Sequence, residues 1–288
     1  MSANIKNKME VHKIIQQNRK ELNIGRYPYH KVNMSYCIER IVKAINNREK
    51  ILVFGYYDVD KIASISILML VLRYLNADVE YYIPNDIRTT DNLTYSDIKD
   101  HIKFLGTKLI ISIGGNLSSE TEAELCRELN MDLIVLSDLR DLKSKYGCVV
   151  KPQGGCSGDK CHELSYAGIT FKLVQQLGIY YRTNIFNKYI DLACIGTVAS
   201  GKDITEQNAV IIKRGMDRLN NTRNYGLKAV KEIHNINTID MCSIKQIVQF
   251  LRPRVNAMGN MDDAKIIVEL FTTGDTYKAK QIVKYIQG

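Results

Sequence analysis

The segment Ile51-Leu-Val-Phe-Gly-Tyr-Tyr-Asp-Val-Asp-Lys-Ile-Ala-Ser64 constrains this chain more than any other. Four apolar residues lead into a polar turn, and a second, longer apolar run begins at Ile62. A short apolar run followed by a turn and a helix start is the signature of a buried parallel strand feeding a crossover helix. In open sheets of that kind, ligands gather beyond the carboxyl ends of the strands. The turn carries Asp58 and Asp60, so the first strand end already marks a candidate site.

The pattern repeats downstream. Met34 to Asn47 has helical apolar spacing and precedes the first strand, Ile51–Phe54. A helix is predicted over Ile62 to Leu75, then a strand over Val79–Ile83, a helix over Tyr95 to Phe104 and a strand over Leu109–Ile113. Ser118-Ser119-Glu120-Thr121-Glu122 is a helix start, because a serine cap followed by acids satisfies the free amides of a first turn. Strands follow at Leu133–Leu136 and Cys148–Val150. From about residue 164 the apolar spacing is helical in seven successive segments, 164–177, 187–199, 205–220, 225–234, 243–251, 262–271 and 275–286. The expected fold is α/β: a mostly parallel twisted sheet flanked by helices, with a helical C-terminal portion. The divisions are a lead-in over 1–30, an α/β core over 31–204 and a helical part of the same core over 205–288.

The chain of 288 residues carries 45% hydrophobic and 25% charged residues, the make-up of a globular protein. No apolar run reaches bilayer length, and the polar N-terminus lacks an apolar signal core, so a cytoplasmic protein without membrane contact is expected. Seven scattered cysteines fit a reducing compartment better than a disulfide framework. The net charge of +9 makes nucleic acid one natural partner, although a Lys- and Asn-rich composition by itself also yields a basic protein. No P-loop, G-x-S-x-G or strong zinc-finger spacing occurs.

The remaining strand ends and helices supply further motifs. Leu-Ile-Ile-Ser-Ile-Gly-Gly-Asn-Leu-Ser-Ser spans 109–119, and Ile-Val-Leu-Ser-Asp-Leu-Arg-Asp spans 134–141. Leu-Ser-Tyr-Ala-Gly-Ile-Thr-Phe-Lys-Leu spans 164–173, Tyr189 to Ser200 contains Ile-Gly-Thr-Val-Ala-Ser, and 252–261 reads Arg-Pro-Arg-Val-Asn-Ala-Met-Gly-Asn-Met. In this order the set resembles the DHH phosphoesterases, and the RecJ-type exonucleases in particular. It covers about residues 28–286. The family motifs are Gly-Asp-Tyr-Asp-Val-Asp-Gly, Ile-Thr-Val-Asp-Cys-Gly-Ile-Ser, Thr-Asp-His-His, Leu-Cys-Gly-Ala-Gly-Val-Ala-Phe-Lys-Leu, Leu-Gly-Thr-Ile-Ala-Asp and Gly-Pro-Arg-Leu-Asn-Ala-Ala-Gly-Arg-Leu.

The resemblance implies a two-metal site for manganese or magnesium, in which ions about 3.5–4 Å apart activate water and clamp phosphoryl oxygens. It places the ligands at strand ends, and there the chain departs from the family. Tyr56, Gly114, Leu139, Arg140 and Ser200 stand at ligand positions, while Asp58, Asp60 and Asp138 retain carboxylates. Lys61 replaces the last glycine of the first motif. Three acids without a bridging ligand do not make a two-metal site, so no functional catalytic residue and no resident metal is expected. Lys61 and Arg140 are expected to supply the missing positive charge to the acids. Alternatively, both side chains point to solvent, and Asp58 and Asp60 form an Asx-turn or cap the helix starting near Ile62.

The resulting expectation is a catalytically inactive RecJ-like protein that binds nucleic acid, a nucleotide or a protein partner through the old cleft. One alternative is an active phosphoesterase or single-stranded-DNA exonuclease with a reduced manganese or magnesium site. The other is a structural or regulatory subunit without ligand. The DHH-associated C-terminal domain and OB-fold of RecJ proteins are not expected in this chain. A structural zinc on Cys148, Cys156, Cys161 and His162 competes weakly with reduced thiols, since C-x7-C-x4-C-H is not a strong zinc spacing. Tyr56-Tyr57 and Tyr81-Tyr82 read as packing more than as base-stacking surfaces. Gly114-Gly115-Asn116 is equally a phosphate-binding nest and a plain turn.

Overall fold

The computed structural model describes residues 31–86, 91–117, 119–137, 148–150, 164–204, 206–255 and 262–287. Five strands form one sheet: β1 (Lys50–Phe54), β2 (Val79–Tyr82), β3 (Thr107–Ile113), β4 (Asp132–Leu136) and β5 (Cys148–Val150). Their order is β2-β1-β3-β4-β5, and every neighbouring pair is parallel. The order reverses between β1 and β3, which makes their carboxyl ends the switch point where such sheets hold ligands.

The central strands are largely apolar because both faces are covered, while the edge strand β2 carries an exposed Glu80. Ile51, Val53, Leu109, Ile111, Ile113, Ile134 and Leu136 enter the larger core cluster. Their sequence neighbours Leu52, Phe54, Ile110, Leu133 and Val135 enter a smaller cluster on the opposite face. Helices α1 (Lys31–Asn46) and α2 (Val59–Tyr74) cover the larger-cluster face. Helix α2 is buried on nearly all sides, with Ile62, Ile65, Leu68 and Met69 among its fully buried residues. The opposite face is closed by Leu93, Ile98, Ile102 and α3 (Glu120–Glu128).

The helical portion comprises α4 (Tyr166–Tyr180), a 3₁₀ turn (Ile185–Tyr189), α5 (Ile190–Ala199), α6 (Glu206–Asn220), α7 (Tyr225–Ile233), α8 (Met241–Phe250), α9 (Asp263–Thr272) and α10 (Thr276–Gln287). Leu219, Leu227, Ile244, Ile267, Phe271 and Ala279 belong to the same apolar cluster as Ile51 and Ile111, so one core runs from the sheet into the last helix. Among the described residues no helix is long and apolar enough to cross a membrane.

Two expectations need correction. Helix α2 begins at Val59, not near Ile62, because Asp58 caps it by accepting from the Lys61 amide at 2.9 Å. The segment predicted as a helix over Tyr95 to Phe104 is a π turn (Asp97–His101) followed by a 3₁₀ turn (Ile102–Leu105). Buried Ile98 and Ile102 share a face in an α-helix and in a π turn alike, and over so few residues their spacing does not distinguish the pitch.

Candidate functional site

The site forms where β1 and β3 end. After Phe54 the chain turns through Gly55, Tyr56 and Tyr57 into Asp58, whose extended backbone caps α2. Asp58 stays exposed, while Asp60 and Lys61, in the first turn of the helix, are carried inward.

Asp60 is 4% exposed and serves a second helix. Its two oxygens accept from the backbone amides of Tyr166 and Ala167 at 2.9 and 2.8 Å. A carboxylate there meets the free amides and positive dipole end of α4. Burial and the charge of Asp58 nevertheless push its pKa up to about 7, against the pull of those amides and Lys61. Gly196 of α5 lies over the same carboxylate, and a Cβ there would stand 3.0 Å from its Oδ1 and 2.5 Å from the Ala167 methyl.

Lys61 occupies the middle of the site. Its side chain is 9% exposed, and its ammonium lies 2.7 Å from Asp58 Oδ2 and 2.5 Å from Asp91 Oδ2. Burial draws its pKa down, but the two carboxylates outweigh that and hold it above the ordinary lysine value. The ammonium also stands 5.1 Å from the centre of the Tyr166 ring. A Cβ on Gly114 would meet Lys61 Cε at 2.8 Å and Tyr166 Cζ at 3.0 Å, and the backbone there has φ +85°. The lysine stem and the tyrosine ring thus fill the space a side chain at position 114 would need.

The other expected positions are equally specific. Tyr56 is buried, its ring packs on Tyr57 at 4.2 Å, and its hydroxyl donates to Asp86 O at 3.4 Å. Ser200 ends α5 with its hydroxyl donating to Thr197 O at 2.7 Å. Two residues on, Lys202 donates to Leu164 O at 3.1 Å and lies 5.7 Å from the Tyr166 ring centre. Tyr82 is fixed by Asp97 and by its ring contacts with Phe54 and His101, and the Tyr81 hydroxyl reaches Lys265 O. Asp138, Leu139, Arg140, Cys156, Cys161 and His162 lie outside the described residues, and so does the Cys148 side chain.

Asp91, Tyr166 and Lys202 complete the cluster and were not singled out from the sequence. Asp91 arrives on a segment that runs beside the β3 end. Leu93 bridges Leu117 in parallel, its amide donates to Asn116 O, and the Asn116 amide donates to Asn92 Oδ1. Gly114 to Asn116 is therefore a covered turn, with the Asn116 amide already spent. Nothing in the spacing of Asp91 announces this role. Tyr166 did leave a signal: it stands where the resembling family motif has glycine, a large ring in place of open space.

The described residues do not fit a two-metal centre. Asp58 and Asp91 already share one ammonium, Asp60 is committed to the start of α4, and Gly114 has neither a ligand atom nor room for one. Among the described residues no group of three or more His, Cys, Asp or Glu is placed to hold a metal ion.

Comparison with known proteins gives a consistent picture. The single-stranded-DNA-specific exonuclease RecJ of Bacillus subtilis is 29% identical over 269 residues, covering 90% of this chain and 32% of that protein. RecJ of Escherichia coli is 24% identical over 89% of this chain and 47% of its own length. The chain thus spans between about a third and a half of these relatives. Among solved structures, exonuclease RecJ bound to manganese superposes with a TM-score of 0.78 at 21% identity, over 91% of this chain and 66% of that one. RecJ of Thermus thermophilus in complex with manganese gives 0.75 at 20% identity, over 100% of this chain and 43% of that one. The model of the DHH family, N-terminal domain, matches residues 50–197, and the chain belongs to the DHH family, with a RecJ-like core.

Proposed function

We propose that this chain is a non-catalytic RecJ-like protein that binds single-stranded nucleic acid, with a lysine in the place of the family's metals. The observation that carries this reading is the Lys61 ammonium between Asp58 and Asp91, its stem packed over Gly114 and beside Tyr166. A two-metal hydrolase needs ligands free to converge on two ions and a water activated between them. Here one fixed cation bridges two acids, and a hydrocarbon stem and an aromatic ring take up the volume. Lys61 stabilises the pocket but activates no water, so the residues around it bind and position without cleaving.

Single-stranded nucleic acid is the ligand class because the relatives are named single-stranded-DNA-specific exonucleases and the chain carries a net charge of +9. Lys202 stands beside the Tyr166 ring at the switch point, joining positive charge to an aromatic face. The buried thiols of Cys37, Cys126 and Cys194 are unbridged, in keeping with a cytoplasmic, reducing setting.

The test pairs two measurements on purified protein. Calorimetric titration with manganese is expected to give no micromolar binding, and labelled single-stranded DNA incubated with manganese is expected to stay intact. Manganese-dependent shortening of the strand that disappears in an Asp58→Asn, Asp60→Asn variant would sink the reading.

A further inference from the structure

We infer that the groove between α7 and the loop preceding it is a second binding site for the phosphate backbone of single-stranded nucleic acid, on a face remote from the switch point. The groove encloses about 770 Å³ and is bounded by residues 220–223, one face of α7 and residues 235–237. It rests on the reading that the chain binds nucleic acid, but not on the loss of metals.

Helix α6 fixes the separation. It starts six residues after Ser200, at the site, and ends at Asn220, at the groove. Fifteen residues of α-helix span about 22 Å, so the two sites lie at opposite ends of this element.

The lining is cationic and amide-rich. Arg223 and Lys228 are exposed, and among the described residues neither forms an ion pair. Lys231 is anchored by donating to Leu219 O and Asn220 O, both at 2.9 Å, which leaves its third ammonium proton available. The one acid of the groove, Glu232, is engaged 2.8 Å from Lys280 of α10. Asn221 and Asn235 add neutral donors and acceptors at the rim. Uncommitted cations with their acid already paired favour an anion over a metal or an apolar ligand.

The aromatic neighbour narrows the class. Tyr225, 40% exposed, lies three residues before Lys228 on the same helix, and the Lys228 ammonium sits 5.9 Å from its ring centre. Residues three apart on a helix share a face. A cationic groove edged by an exposed ring offers phosphate contacts and a stacking surface together, the combination by which single strands are held without sequence preference.

The experiment is fluorescence anisotropy of a labelled thirty-thymidine strand over a range of salt concentrations. Arg223→Ala with Lys228→Ala is expected to weaken binding tenfold or more at low salt. It is also expected to flatten the plot of log K against log salt by about 1.4, since each single-strand phosphate contact contributes about 0.7. Tyr225→Ala is expected to weaken binding roughly fivefold with the slope unchanged. Lys213→Ala with Lys245→Ala removes the same charge from exposed positions outside the groove and is expected to leave the slope intact. If the parent binds but the two double variants lose slope equally, the attraction is diffuse and the groove is not a site. If the parent binds no strand at all, the nucleic-acid reading falls with it, while manganese calorimetry still decides the metal question separately.

Discussion

Replacing Lys61 tests the site most directly. In Lys61→Met the stem length is retained and the charge removed. Two ion pairs vanish, but their carboxylates are 47% and 39% exposed, so solvent screens both. At about 0.5–1 kcal/mol for each pair, the loss is about 1–2 kcal/mol. In Lys61→Ala roughly three buried methylenes beside Gly114 and Tyr166 go as well, at about 0.8 kcal/mol each, for a total of about 3.5–4.5 kcal/mol. Urea denaturation at pH 7 should rank parent, Met variant and Ala variant in that order. The sign with pH follows from the direction of the shift. The ammonium is held above its ordinary value of 10.5, so its stabilisation is complete at neutral pH and is lost only as pH rises through the folded value. Manganese supplies the second readout. In Lys61→Ala the carboxylates of Asp58 and Asp91 lose their cation, and millimolar manganese should raise the melting temperature of this variant while leaving the parent unmoved. A Met variant as stable as the parent, together with equal manganese stabilisation of parent and Ala variant, would refute the idea that the lysine holds the place of the metals.

Gly114→Asp should destabilise the fold by about 2 kcal/mol or more, because position 114 has φ +85° and its Cβ would crowd Lys61 and Tyr166; a neutral result in thermal melts would show the pocket to be looser than described. Lys172, 3% exposed and bonded to Gln207 Oε1, has its pKa lowered by burial to about 8. The unfolded chain therefore binds the extra proton until 10.5, and the penalty is full below about pH 8 and relieved between pH 8 and 10.5. Lys172→Met should gain up to about 3 kcal/mol at pH 7 and lose that advantage as pH rises, as melts at pH 7 and 10 would reveal. Asp97 is fully buried and accepts from the Thr94 amide, the Thr94 hydroxyl and the Tyr82 hydroxyl. Asp97→Ala should cost about 2–4 kcal/mol and speed hydrogen exchange at the Leu93 amide; unchanged exchange would separate this bond set from the segment that delivers Asp91.

The layers of this protein are legible in its residues alone. Continuous apolar strands such as Ile51–Phe54 are stable only when both faces are covered, and strands alternating with long amphipathic segments admit only a largely parallel sheet. The departures from the family motifs at Tyr56, Lys61, Gly114 and Ser200 were legible too, because residue type needs no coordinates. How the side chains pack around these positions is fixed only by the fold. Asp60 has the local look of a cap for its own helix, yet it holds the first amides of α4, more than a hundred residues away. Asp91 belongs to a polar stretch with no periodic signal, and only the passage of its segment beside the β3 end brings it to Lys61. The spacing of residues along a chain reports which of them share a face of one element. Which charge meets which across thirty or a hundred residues is fixed by the order of the strands and the packing of helices on them. That is why the departures from the family motifs, and a positive charge at Lys61 facing the acids, could be read from the sequence, while Asp91 and the Tyr166 ring that meet the lysine could be read only from the fold.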